Sequence, residues 1–566
     1  MYDLIIRGGE VVDGTAAPAR RADVAVADGV ITEVGTIDEP AVRVIDAGGR
    51  LVCPGFVDIH THYDGQASWD ERMVPSSWHG VTTIVGGNCG VGFAPVHDAD
   101  HDRLIELMEG VEDIPGTALH EGLRWNWGSF PEFLDALDGR HYDVDVALQV
   151  PHAALRLHTM GERGARREPA TEEDIRAMAA LARAGVEAGG LGFTTSRTAN
   201  HRSSRGELTP TLTAASDELL GIAAAIGESG QGVLQVVSDF VDVDAEFSLF
   251  RRMAEVSRRP LSFTLLQTPL GGWERQLALL EEVNAAGITM RGQVAARAVG
   301  LLLGLECTLH PLLVNTVYRE VAALPLRERV AKMADAGFKT RVLAAAGEMG
   351  GRARVLQDFD HMYELGDPPD YEPEPASSIA ERARATGREP IDLAYDLLLA
   401  DEGRGLLYRP VLNYDDGNLD AAGEMLASAH TISGLGDGGA HVGTICDASF
   451  PTTLLTLWGR DRDHGRLPLP FLIHRQTAAT AGAVGLLDRG VLAPGYRADI
   501  NVIDFDRLSA RRPEIRYDLP AGGKRFVQRA EGYEATIVAG QVTYEHGEPT
   551  GALPGRLVRG HQSAPS

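Results

Sequence analysis

The stretch GFVDIHTHYDG, residues 55 to 65, sets His60 and His62 one residue apart at the end of an apolar run. In an extended chain residues i and i+2 face the same side, so the two imidazoles project together while Thr61 points away. Two imidazoles on one face can chelate a divalent cation, with zinc–nitrogen bonds of about 2.0–2.1 Å; a pair of surface histidines beside a turn is the ordinary alternative. Further along, IVGGNCGVG carries Cys89 between glycines that let backbone crowd a site, although a free cysteine is most often a small buried thiol. TISGLGDGGAHVG carries Asp437 and, four residues on, His441; Asp-Gly is also a common turn dipeptide. Brought together, these groups would supply ligands for a cation that acidifies water and a carboxylate that moves the proton.

Such chemistry needs a scaffold that joins positions 60, 62, 89 and 437. Eight short apolar runs recur along the chain: LVCPGFVDIH, VTTIVGG, DVALQV, LGFTTS, GVLQVVS, LSFTLLQ, ITMRGQV and TISGLGD. Amphipathic stretches such as TEEDIRAMAALARAGVEAG and TAASDELLGIAAAIGESG lie between several of them, each opened by Thr with acidic residues in the first turn and closed by Gly. Eight units of this kind predict an α/β fold, a TIM-like (β/α)8 barrel over residues 54–485, with chemistry at the C-terminal ends of its strands. His60 and His62 then end strand one, Cys89 follows strand two, and Asp437 ends strand eight, which closure sets beside strand one.

Residues 1–53 read as short strands punctuated by Gly and Asp-Gly, and the same texture returns within 486–566, in RADINVIDFDRL and YEATIVAGQVTYEHGEPTG. The two ends are expected to pair into a small β-sandwich. Residues 295–430 are too long for one crossover and contain LGDPPDYEPEPASS, which predicts an insertion over the barrel mouth that acts as a lid.

Composition narrows the partners. The net charge of −27 opposes attraction to phosphate backbones and anionic lipid, so nucleic acid and membrane surfaces are excluded as expected partners. The start lacks a basic segment followed by an apolar core, and runs such as AVGLLLGL are too short to span a bilayer, which points to a cytoplasmic protein. Four scattered cysteines without a CxxC argue against a disulfide framework or zinc ribbon. Lysine occurs only at 332, 339 and 524, which removes lysine from most candidate ligand positions. A homo-oligomer is compatible with this composition.

Taken together, VDIHTHYDG, TTIVGGNCG, VPHAALRLHTMG, GGLGFTTSRT, GLGDGG and TAATAGAVGLLDRGVLAPGYRADINVIDFD resemble the amidohydrolase superfamily, and within it the N-acyl-D-amino-acid deacylase (D-aminoacylase) family. The resemblance implies a zinc-dependent hydrolase of a small-molecule amide, with Cys89 as a metal ligand in place of a carbamylated lysine and Asp437 as the proton-transfer group. It also implies histidine ligands at the ends of strands five and six, but those strands read GVLQVVSDF and LSFTLLQTP here. Gln235 and Gln267 stand near those ends, and a neutral amide is a poor transition-metal ligand beside imidazole. The expectation is therefore one zinc ion rather than two, held by His60, His62 and Asp437 and completed by Cys89 or His441. Family deacylases grip the substrate carboxylate with Lys, Tyr and Arg; no matching Lys or Tyr stands near LSFTLLQTP or RGQVAARAVG, and Arg197 and Arg297 could supply a carboxylate fork. His152 and His201, just past strands three and four, read as hydrogen-bonded loop histidines before they read as ligands. Hydrolysis of a cyclic or neutral xenobiotic amide and a non-catalytic scaffold are the rival readings.

Overall fold

The computed structural model describes residues 1–347 and 351–566; three positions of the expected insertion, 348–350, lie outside the described residues. Parallel strands make up the centre. One three-stranded sheet runs Phe56–Asp58, Val81–Gly86, Asp145–Leu148, and a six-stranded sheet runs Val150–Pro151, Gly192–Arg197, Val233–Ser238, Leu261–Thr264, Met290–Val294, Thr431–Ser433. Every pairing within both sheets is parallel. These strands are buried almost throughout, as expected for parallel strands covered on both faces, and so read as continuous apolar runs.

The third run, DVALQV, is interrupted at Gln149. Its amide N–H still donates to Gly86 O, at 3.0 Å, while its side chain turns to Asn88 Oδ1, at 3.2 Å. Beyond the interruption Val150 pairs with Phe193, and Leu191 N–H donates to Leu148 O across the same junction. At the other end of the series, Thr61 and Gly438 form a parallel bridge between the segments that follow the first and last strands. The first run also divides. Leu51–Pro54 joins the sheet of the chain ends and Phe56–Asp58 joins the central strands. Gly55 is the pivot, because a Cβ there would lie 2.2 Å from Thr82 Oγ1.

The helices follow their local chemistry. Thr171 caps Glu172–Glu187 in a full capping box with Asp174. Ser216–Ser229 ends on Gly230 in the left-handed region, but Ala215 occupies its N-cap and Thr213 stands outside the helix. Its first-turn acid Glu218 is drawn instead into a buried network with His152 and Arg156.

The two chain ends meet in a nine-stranded sheet, in which Leu51–Pro54 pairs antiparallel with Ile500–Ile503 and lies beside Tyr2–Val11. Buried Asp145, at the N-terminal end of a central strand, accepts from Arg489 at 2.7 Å and from Arg497 at 2.9 Å, which ties this sheet to the centre. Between the last two central strands the chain builds its own apolar cluster around Leu303, Tyr318, Met333, Tyr395 and Leu398. Among the described residues no helix is long and apolar enough to cross a membrane.

Candidate metal centre

His60, His62 and Cys89 offer ligand atoms that all lie within 4.8 Å of one another, and all three are buried. Two local features bring this about. The first strand ends at Asp58, so His60 and His62 do not end it as the sequence led us to expect; His60 lies in a bend just beyond, and the segment is held between the neighbouring loops, with Thr61 N–H donating to Val85 O, His62 N–H to Gly438 O at 2.7 Å, and Asp437 N–H to His60 O at 2.9 Å. The loop after Val81–Gly86 turns sharply through Gly87 (φ +79°), Cys89 (φ +54°) and Gly90 (φ +67°). A Cβ on Gly87 would fall 2.1 Å from Gln149 O, so only glycine lets this loop lie against the next strand.

Asp437 faces the group from the other side but lies outside the three-residue set. Its Oδ1 stands 3.5 Å from His60 Nε2 and 3.8 Å from His62 Nε2, and Cys89 Sγ is 3.4 Å from His60 Nε2. Leu435, Asp437 and His441 all adopt positive φ, a concentration of uncommon backbone that is characteristic of functional loops. Gly438 admits the loop because a Cβ there would meet Ser76 Oγ at 2.3 Å and Tyr63 at 2.7 Å.

His60 is oriented by its other ring nitrogen. Nδ1 bonds Gln293 Oε1 at 2.8 Å, and the Gln293 amide in turn donates to Ser262 Oγ. With the proton on Nδ1, Nε2 is the lone-pair nitrogen that faces Cys89 and Asp437, the arrangement ligating histidines favour. Burial lowers the His60 pKa to about 4 and pushes that of His62 well below the usual histidine range, so both rings are neutral and able to ligate. Burial, reinforced by the charges of Glu112, Asp437 and Asp64, holds the Cys89 thiol well above its usual value. Asp437 is likewise raised, by burial and then by Asp447 and Asp58.

The donor set suits a divalent transition metal. Both ring nitrogens of His62, Asp437 Oδ1, both Glu112 oxygens and Asp64 Oδ2 are buried without a hydrogen-bond partner, and buried polar atoms are rarely left so. Imidazole, thiolate and carboxylate together are zinc-type ligands. A bound dication would also favour the deprotonated thiol and carboxylate that burial alone disfavours.

The remaining sequence candidates lie as follows. Gln235 is buried on Val233–Ser238 with neither amide atom partnered among the described residues. Gln267 is tied to the segment at 413–416, donating to Asp416 Oδ2 at 2.7 Å and accepting from Asp415 N–H. His152 uses both ring nitrogens, on Thr195 Oγ1 and Glu218 Oε1, each at 2.8 Å. Arg197 is held bidentate by Glu246. Arg297 pairs with Asp447 at 3.0 Å and stacks 3.6 Å over Tyr371. His441, a quarter exposed, comes within 3.8 Å of Glu112 rather than joining the three-ligand group. His201 bonds Ser196 Oγ through Nδ1, and the electrostatic influence of His60 and His441 marks it as part of the site's surroundings.

Sequence reasoning missed Glu112, Asp64 and Gln293. Asp64 lies in GFVDIHTHYDG itself, four residues past His60, and could have been weighed there. Glu112, within the charged ELMEGVED, carried no local signal.

A buried imidazole pair lies after the first parallel strand, a thiol after the second and a carboxylate after the last, and the comparisons with known proteins supply the class, a hydrolase of non-peptide carbon–nitrogen bonds. The chain belongs to the amidohydrolase family, whose profile matches residues 43–544. It is 27% identical to N-acyl-D-glutamate deacylase of Alcaligenes xylosoxydans xylosoxydans, over 98% of this chain and 96% of that one. It is 25% identical to that organism's N-acyl-D-aspartate deacylase, over 98% and 95%. A D-aminoacylase solved to define the role of its binuclear metal centre superposes with a TM-score of 0.65 at 25% identity, covering 99% of this chain and 100% of that one.

Proposed function

We propose that this chain is a zinc-dependent deacylase of N-acyl amino acids, using one zinc ion at His60, His62 and Cys89 and Asp437 as the proton-transfer group. The observation that carries it is the convergence of three buried ligand atoms within 4.8 Å, with an unpartnered Asp437 oxygen opposite them. The D configuration and the amino-acid substrate are supported by the two deacylases that align over nearly the whole chain. The strand order and the Thr61–Gly438 bridge support closure into a (β/α)8 barrel; the small β-sandwich of the chain ends and the lid at 295–430 stay part of the proposal. Four free, buried cysteines support a cytoplasmic setting.

The ion would supply Lewis-acid polarisation of the scissile carbonyl and a more acidic water. The chain supplies the rest. Asp437 Oδ1 takes the proton of the attacking water and returns it to the leaving amine nitrogen. Gln293 holds His60 in one tautomer, and the glycine-lined loops keep bulk water from the ligands.

A neutral or cyclic amide is the second reading, and one observation favours it. Arg197 and Arg297, the cations available to fork a substrate carboxylate, are already bound by Glu246 and Asp447. Metal content by plasma mass spectrometry, measured on the wild type and His60→Ala, tests the centre. About one zinc per chain, lost in the variant, is expected; a wild type free of metal after zinc loading overturns it. Carboxylate release is then followed over N-acyl-D-amino acids, their L-enantiomers, and neutral and cyclic amides. Turnover confined to the last two groups replaces the deacylase reading with the second one.

A further inference from the structure

Glu112 ends the helix His101–Glu112, whose Leu104, Ile105, Leu107, Met108 and Val111 form its buried face. Its side chain is 1% exposed, and neither carboxyl oxygen has a hydrogen-bond partner among the described residues. A carboxylate is also unfavourable at the C-terminal end of a helix, where the dipole is negative. Three costs thus fall on one residue, and nothing in the packing repays them: burial, missing partners and the wrong helix end.

Its surroundings give the reason. Glu112 Oε1 lies 3.2 Å from His62 Nδ1, and Oε2 lies 3.8 Å from His441 Nε2. The backbone holds it there: Val442 N–H donates to Glu112 O, and the adjoining Asp113 carboxylate accepts from Gly443 N–H and from the Thr308 hydroxyl. His62 Nε2 points the opposite way, toward Asp437 Oδ1. The pattern repeats that of His60, whose Nδ1 is taken by Gln293 while Nε2 faces the thiol and Asp437. His60 therefore has a hydrogen-bonded amide partner, and His62 a carboxyl group at 3.2 Å with which no hydrogen bond is formed; burial, then Asp437 and Asp64, hold that carboxyl well above its usual range, and a dication on Nε2 would favour its anion.

We infer that Glu112 is a positioning residue for the metal centre: in the metal-loaded protein its carboxylate accepts a hydrogen bond from His62 Nδ1–H, presents Nε2 as the ligand, and links that ligand to His441 on the Asp437 loop. An anionic acceptor raises the basicity of the imidazole it holds, and partners of this kind carry about 10–100-fold in metal affinity or activity. Glu112 acts through His62 and is not itself a ligand, in keeping with its absence from the three-residue ligand group.

The inference rests on the metal-centre reading, and the experiment separates the two. Zn2+ affinity of the full chain is measured by chelator competition for the wild type, Glu112→Gln, His62→Ala and the double variant. Expected is a loss of about 10–100-fold in Glu112→Gln, shrinking to less than about twofold when the same change is made in His62→Ala, because the residue it acts through is gone. With Co2+ in place of zinc, the visible absorption of Glu112→Gln shifts in energy or intensity as the His62 bond weakens. Equal affinity in wild type and Glu112→Gln overturns the inference and leaves the metal centre standing. So does an undiminished effect in the His62→Ala background, which would make Glu112 a ligand in its own right. A wild type that binds no Zn2+ overturns both. Should Glu112→Gln fail to fold, the wild type still decides the matter. Proton-detected nitrogen spectra of the zinc-loaded, 15N-histidine-labelled protein must show an exchange-protected Nδ1–H that His62→Ala removes, and its absence refutes the role.

Discussion

Replacing Asp437 by Asn removes one negative charge and little else. The residue sits at φ +46°, a left-handed conformation that Asn tolerates as readily as Asp. Its backbone N–H bond to His60 O does not involve the side chain. The loop should therefore keep its path, and the metal-free protein should melt no lower than wild type, because an amide avoids the burial penalty that raises the Asp437 carboxyl. With three ligand atoms within 4.8 Å remaining, the metal is retained. What disappears is the carboxylate oxygen placed 3.5 Å and 3.8 Å from the facing nitrogens of His60 and His62. Positioned proton transfer contributes about 10²–10⁴-fold, which at about 1.36 kcal/mol per decade is about 2.7–5.4 kcal/mol of barrier. The assay is steady-state kcat on the best amide from the substrate panel, with zinc per chain measured on the same sample. A zinc-loaded Asp437→Asn enzyme with kcat within about threefold of wild type would refute the proton-transfer role. Lost metal in a folded variant would recast Asp437 as chiefly a ligand.

Gln293→Leu keeps the volume of the side chain but strips His60 Nδ1 of its 2.8 Å partner, and zinc affinity by chelator competition should fall about 10-fold or more; unchanged affinity would show that His60 needs no such partner. Gly438→Ala forces a Cβ to 2.3 Å from Ser76 Oγ. Overpacking of that size costs about 1–3 kcal/mol, so a lowered melting temperature with reduced kcat is expected, and wild-type values for both would mean the loop yields freely. The third concerns pH. Burial raises the Glu218 carboxyl, but hydrogen bonds and charge from His152 and Arg156 outweigh it and hold the group below its ordinary value of 4.5. A carboxyl depressed on folding stabilises the protein above its unfolded pKa, and that stability is lost as pH falls through the lower folded one. The melting-temperature gap between wild type and Glu218→Gln should therefore be full at pH 7 and narrow below about pH 4.5; a gap constant from pH 7 to 3 would contradict the assignment.

The features the sequence determined by itself are those whose physics is local. The i, i+2 spacing of His60 and His62 marked them as a pair, and the structure puts both in the three-ligand group, although the strand ends at Asp58 and a bend at His60, held by backbone bonds to the neighbouring loops, sets their final orientation. The Thr171–Asp174 capping box and the buried parallel strands follow equally from short-range pattern. Where a chain of apolar residues served two sheets, local pattern could not divide it: Leu51–Pro54 and Phe56–Asp58 read as one run but separate at Gly55, where Thr82 leaves no room for a side chain. The identity of partners was wholly a tertiary matter. Arg197 and Arg297 looked free until Glu246 and Asp447 met them from 49 and 150 positions away, and His152 was already occupied by Thr195 and Glu218. Glu112 and Gln293 entered the site from a helix end and a distant strand with no motif to announce them. Spacing along the chain sets which side chains share a face. Only the folded chain decides which carboxylate, amide or cation from a remote element stands opposite, because that pairing depends on distances no stretch of sequence contains.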